Sequence, residues 1–198
     1  MANKHNENIE YIRNLYQNVL DWYKNADSKA QVILAIDGGL VAFISSTAFA
    51  KPDEIKLILK EFTPITWMFL TFMFASLVAS MGSAIFCLWS RIYSSEDLTI
   101  IIEKAISKAK TSEFSNYPYP PSVACFFQFI ERLDKEKFRE TLNSVNIDFE
   151  IKALSNQIYI LSGNVRRKHY YVNLGFMFSL AALIFFFLSS ISYLLALV

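Results

Sequence analysis

The sequence predicts an all-α membrane protein: three transmembrane helices, a mostly helical cytoplasmic region, and a third span continuous with a long cytoplasmic helix. Three observations lead to this class. Phe62–Ser90 and Tyr170–Val198 contain no charged residue, and residues 30–50 contain only Asp37; a bilayer core takes about 20 apolar residues per helix. Hydrophobic residues make up 54% of the chain and aromatic ones 16%, above the roughly 45–50% apolar share of soluble domains. Only 5 Gly and 5 Pro interrupt the 198 residues, so long helices go unbroken.

Residues 1–29 read as an amphipathic leader helix, because Ile9, Ile12, Tyr16, Val19 and Tyr23 recur at spacings of three and four and so line one face. The leader runs straight into the first span, residues 30–50. An apolar stretch that begins this far in, behind a charged leader, does not fit a cleaved secretory signal. A loop at 51–64 opens Lys51-Pro52-Asp53-Glu54, with Pro and acids suited to a helix's first turn, and predicts a short helix on the membrane surface. The second span is 65–90. The region 91–169 continues as a helix to about Lys110, with Ile101, Ile102, Ala105 and Ile106 on its apolar face, until Asn116-Tyr117-Pro118-Tyr119-Pro120-Pro121 breaks it by removing backbone donors. Val123–Ile130 fits either a short strand or a buried helical turn. Asp134 is an N-cap for a helix over about 135–144, and another helix starts at Asp148. From there Ile151, Leu154, Ile158, Leu161 and Val165 step by three and four, a heptad-like seam. The seam leads into the third span, 170–196, and matches the leader's face in spacing, so the two are expected to pack. A helix of about fifty residues would be roughly 75 Å long.

Basic residues orient the chain. Four of the 19 Lys and Arg lie in 1–29, three in 51–61, twelve in 91–169 and none beyond Tyr170. Lys and Arg gather on the cytoplasmic side, so the N-terminus and 91–169 are expected inside, 51–64 and the C-terminus outside, in a multi-pass membrane protein. The net charge of +1 gives no general attraction to nucleic acid.

Catalysis finds no support. The two histidines, His5 and His169, exclude a histidine-rich metal site, Asp37-Gly38-Gly39 matches no phosphate-binding loop, and Cys87 and Cys125 read as packing residues. The expectation is a non-enzyme without a cofactor. Three polar features need a role. Asp37 lies about two turns into the first span, where an acid costs about 2.5–3.5 kcal/mol on insertion scales; it either lines or gates a pore, or is protonated or bonded to a hydroxyl of a neighbouring span such as Ser80 or Ser83. Arg166-Arg167-Lys168-His169 either anchors the third span or forms a wall for an anionic ligand, since Arg holds phosphate bidentately. Asn25-Ala26-Asp27-Ser28-Lys29-Ala30 lies at the same depth and is expected to pair with that basic cluster. Gly38, Gly39, Ala75, Ala79, Ser80, Gly82, Ser83 and Ala84 are small enough for close helix approach.

Trp22, then Ala26-Asp27-Ser28-Lys29-Ala30-Gln31-Val32-Ile33-Leu34 at the head of the first span, resembles the start of the Pycsar transmembrane effector family. Leu154-Ser155-Asn156-Gln157-Ile158-Tyr159-Ile160-Leu161-Ser162, followed by Arg167-Lys168-His169-Tyr170, is similar to that family's second signature. Val123, Phe126-Phe127 and Ile130, then Asp134, Phe138 and Leu142, resemble an intervening hydrophobic element and helix. Asp37 departs from the pattern. The resemblance implies a bacterial anti-phage effector: a partner cyclase makes a cyclic pyrimidine mononucleotide, cCMP or cUMP, and the effector impairs the inner membrane in abortive infection. It is expected to work as a homo-oligomer in the lipid bilayer, assembled through its spans and the 148–168 seam. Candidate ligand-binding residues are Asp27, Lys29, Arg91, Phe126, Phe127, Gln157, Arg167 and Lys168, with Tyr117 and Tyr119 as further rings against which a nucleotide base could stack. Two other readings are a membrane scaffold that recruits a cytoplasmic protein and an effector gated by another cyclic nucleotide.

Overall fold

The computed structural model describes residues 2–50, 52–89, 95–109, 115, 117–124 and 127–197. These form α1 (Ala2–Ala50), α2 (Pro52–Lys60), α3 (Pro64–Leu88), α4 (Ser95–Ala109), α5 (Phe127–Ile130), α6 (Lys135–Asn143) and α7 (Ile147–Ala196), with no strand among the described residues. The all-α class holds, and α1, α3 and α7 are each long and apolar enough to cross a membrane. The alternatives at Val123–Ile130 resolve to one helical turn, α5.

The helix ends follow local chemistry. Pro64 enters α3 at its first turn, and the Thr63 hydroxyl accepts the backbone N–H of Thr66 at 3.2 Å, satisfying a donor that has no helical partner. Asp134 caps α6 by accepting the Lys137 N–H at 3.0 Å. The last helix starts one residue before the expected Asp148, because Asn146 caps it by accepting the Phe149 N–H at 2.8 Å. Asp53 and Glu54 in the first turn of α2 and Lys60 in its last complement the helix dipole.

Two compact units divide the chain: residues 1–23 with 90–165, and residues 24–89 with 166–198. In the first, Val123 and Phe129 form a small core flanked by Ile102, Ala105 and Leu133. The leader and α7 meet in this unit through an ion pair that lies off both apolar seams: Arg13 of α1 donates Nε and Nη2 to the two carboxylate oxygens of Glu150 at 2.6 and 2.8 Å. That bond holds the Arg13 guanidinium above its ordinary pKa.

The second unit packs the three spans. One cluster joins Ala26, Ala30 and Ile33 of α1 to Ala84 and Cys87 of α3 and Val172 of α7; another joins Met73 and Leu77 to Ala182. Each helix buries one seam with steps of three and four. In α7 it reads Val165, Lys168, Val172, Gly175, Ser179, Ala182 and, beyond the half-buried Phe186, Ser189; in α1 it is Ala26, Ala30, Ile33, Asp37. A 3.5-residue period is that of helices wound around one another. Outward, Phe43, Val78, Phe86, Met177, Leu180, Phe187 and Leu195 are exposed, a surface that hydrocarbon tolerates and water does not. Aromatic groups mark both ends of the spans, with Trp67 and Tyr193 on Phe62 at one and Tyr170 against Tyr171 at the other, the depth at which such rings settle.

Candidate functional site: a polar thread through the spans

Among the described residues, four contacts between nitrogen and oxygen groups cross between helices within the membrane unit. Lys168 of α7 pairs with Asp27 of α1, its side chain 4% exposed and that of Asp27 28%. Ser80 of α3 donates to the backbone carbonyl of Gly175 at 2.9 Å. Ser179 donates to one carboxyl oxygen of Asp37 at 2.8 Å. The hydroxyls of Thr66 and Ser192 share a hydrogen bond at 2.9 Å. The α1–α7 contacts are separated by 141 and 142 residues, so these helices run parallel in constant register, while α3 pairs lower numbers with higher ones and runs opposite.

Gly175 lets this register close. A Cβ at this position would lie 3.0 Å from Ile33 Cδ1, 3.6 Å from the Ser80 carbonyl oxygen and 3.7 Å from Ser83 Cβ. Among the other small residues, Ser80, Ser83 and Ala84 are buried, whereas a Cβ at Gly38, Gly39 or Gly82 meets nothing within 4 Å.

The expected pairing of the Asp27 segment with the basic cluster is present and falls on Lys168. Asp37 is bonded to a neighbouring span as one reading had it, but its partner is Ser179, not Ser80 or Ser83. Ser80 spends its proton on Gly175 and Ser83 on the Ala79 carbonyl of its own helix. At 1% exposed, Asp37 faces the inside of the bundle rather than an outer surface. Its second oxygen, Oδ2, is buried and no protein group hydrogen-bonds to it, the one such side-chain atom among the described residues.

The other described candidates divide between the two units. Lys29 is exposed and Arg167 half-buried in the membrane unit, while Gln157 is half-buried in the first unit. Arg91, Phe126 and Cys125 lie outside the described residues, and Phe127 is placed by its backbone alone, at the start of α5. Tyr117 packs on Phe149 with ring centroids 4.8 Å apart, and the Tyr119 hydroxyl accepts the Asp134 N–H at 3.0 Å, so both rings have structural work. Cys87 is a buried free thiol whose Sγ lies 3.8 Å from the Ala26 carbonyl oxygen, in keeping with packing. No cluster of metal-ligating residues occurs among the described residues.

Sequence reasoning missed Gly175, Ser179 and the Thr66–Ser192 pair. A signal for the first two existed: the seam that ends at Val165, carried on in the same rhythm, reaches Lys168, Val172, Gly175 and Ser179.

A search of curated proteins and one of solved structures gave no significant match. A family model described as the Pycsar effector protein domain matches residues 11–196, which takes in both units and all four polar contacts. The chain therefore belongs to the Pycsar effector family, the membrane effectors of cyclic-nucleotide anti-phage defence.

Proposed function

We propose that this effector binds a cyclic pyrimidine mononucleotide, cCMP or cUMP, through its part outside the bilayer and answers by impairing the integrity of the bacterial inner membrane, so that the infected cell is lost before phage matures. The observation that carries this reading is the family match over nearly the whole chain joined to three helices able to span a membrane. In this reading the signal is the product of a partner cyclase, the effector itself catalyses nothing, and the N-terminus and residues 91–169 face the cytoplasm.

Helical backbone supports a coupling role. Two of the three places where the chain passes between its units lie inside a helix, one within α1 and one within α7. Arg167, half-buried at the head of the third span, is suited to a phosphate. A phosphate that reaches Lys168 must compete with Asp27. Assembly into a homo-oligomer falls to faces that the protomer leaves open, including Gly39 and Ala75, since most of the 148–168 seam is already half-buried within the protomer.

The test is dye release from vesicles of phosphatidylethanolamine and phosphatidylglycerol that hold the full-length protein. Addition of cCMP or cUMP should release dye, and Arg167→Glu should abolish the response while inserting normally. No binding and no release with either nucleotide would sink the proposal.

A further inference from the structure

Asp37 holds the one buried side-chain nitrogen or oxygen atom without a hydrogen-bond partner among the described residues. It sits on the buried seam of α1 between Ile33 and Leu40, 1% exposed, within the segment read as the first span. Oδ1 accepts the Ser179 hydroxyl at 2.8 Å, and no protein group bonds to Oδ2. Protonation does not remove the problem. Ionised, Oδ2 is an acceptor without a donor; protonated, Oδ2–H is a donor without an acceptor. Buried polar groups are otherwise paired in native proteins, and each unpaired one favours any arrangement in which it finds a partner. A leucine on the same seam would carry no such penalty.

We propose that Asp37 is a built-in destabiliser of the packed three-span state, held in check by the single hydrogen bond from Ser179, and that it biases the spans toward a parted arrangement in which water reaches Oδ2. The inference rests on the reading of the protein as a membrane-impairing effector. The packed bundle keeps a threshold low enough for the bound signal to cross.

The experiment compares the full-length protein with Asp37→Leu, Asp37→Ala, Asp37→Asn and Ser179→Ala by thermal midpoint in detergent and by spontaneous dye release from the same vesicles. Asp37→Leu should raise the midpoint and lower spontaneous release about tenfold, the equivalent of about 1.4 kcal/mol. Ser179→Ala should move both in the opposite direction, because it leaves the whole carboxyl group unpaired. Asp37→Asn keeps one unpaired polar atom and should stay close to wild type. Asp37→Ala cannot overpack and controls for volume. Midpoints below wild type for both Asp37→Leu and Asp37→Ala overturn the proposal, as does a raised midpoint with undiminished release. If no vesicle releases dye under any condition, the membrane-impairment reading fails, and the midpoints of Asp37→Leu and Ser179→Ala still decide the role of Asp37: opposite shifts uphold it, shifts in one direction overturn it.

Discussion

The ammonium of Lys168 and the carboxylate of Asp27 pair across α1 and α7 from positions 141 residues apart, with the lysine almost wholly withdrawn from solvent. A buried ion pair adds little net stability because each charge gives up its hydration, whereas removal of one partner leaves the other uncompensated. Lys168→Ala should therefore lower stability by about 3 kcal/mol, read as an earlier unfolding transition in a detergent titration. The double variant Asp27→Leu with Lys168→Met should recover most of that loss.

Glycines of the spans should divide into two classes. At Gly38, Gly39 and Gly82 an added methyl meets open space, so alanine should stabilise each helix by about 0.5–1 kcal/mol through the lower backbone entropy of the unfolded chain. At Gly175 the new Cβ would lie 3.0 Å from Ile33 Cδ1. Alanine there pushes on the flexible end of one side chain, while Gly175→Val also meets Ser83 and the Ser80 backbone and should cost about 1–3 kcal/mol. Parallel thermal melts of the four alanine variants and Gly175→Val check this; a stabilised Gly175→Val would show that the close approach of α7 does not exist.

Tyr119 separates a structural ring from a base-stacking one. Its hydroxyl accepts the Asp134 N–H, whose side chain in turn caps α6. Tyr119→Phe keeps the ring and removes the acceptor, so it should cost about 1 kcal/mol and leave nucleotide affinity unchanged. Asp134→Ala removes the cap and should cost a similar amount, about 1 kcal/mol. Hydrogen exchange at the first amides of α6 is the sensitive readout for both.

Arg13 and Glu150 form a two-pronged pair on an exposed surface, so salt should screen their coupling. A double-mutant cycle with Arg13→Ala and Glu150→Ala should show a coupling that shrinks between low and high ionic strength. The bond to Glu150 raises the guanidinium's pKa above its ordinary value, so its charge contributes fully below that ordinary value and is lost only as pH rises through the still higher folded value. Coupling should accordingly stay flat from neutral pH upward through the range in which the protein remains folded.

Much of the fold was legible because it is written locally. Charge-free runs of about span length can be satisfied only by hydrocarbon or by a deep core, and steps of three and four put Ile9 to Tyr23 and Ile151 to Val165 on single faces whatever lies around them. The Asp134 cap was read correctly for the same reason, since its partner N–H stands three residues away. The first turn of the last helix was read one residue late, because Asp and Asn are both good caps and Asn146 takes the bond.

The identity of the long-range partners was beyond such reasoning. Ser80, Ser83 and Ser179 all lie on buried seams, and nothing local tells which hydroxyl meets Asp37. That choice belongs to the register between α1 and α7. It is set where Gly175 admits Ile33, which the sequence did not announce, and where Lys168 reaches Asp27, a pairing legible only as far as the basic cluster and not as to which residue takes the bond. Once those close, Ser179 is the hydroxyl one turn further along, and Ser80 is already turned to the Gly175 carbonyl. Period and hydropathy thus determined which faces are buried, because they depend only on neighbours along the helix. Only the packed tertiary structure decided which polar atoms are paired there, and that one oxygen of Asp37 is not, because a hydrogen bond needs donor and acceptor within about 3 Å of each other on helices that the chain brings together from far ends.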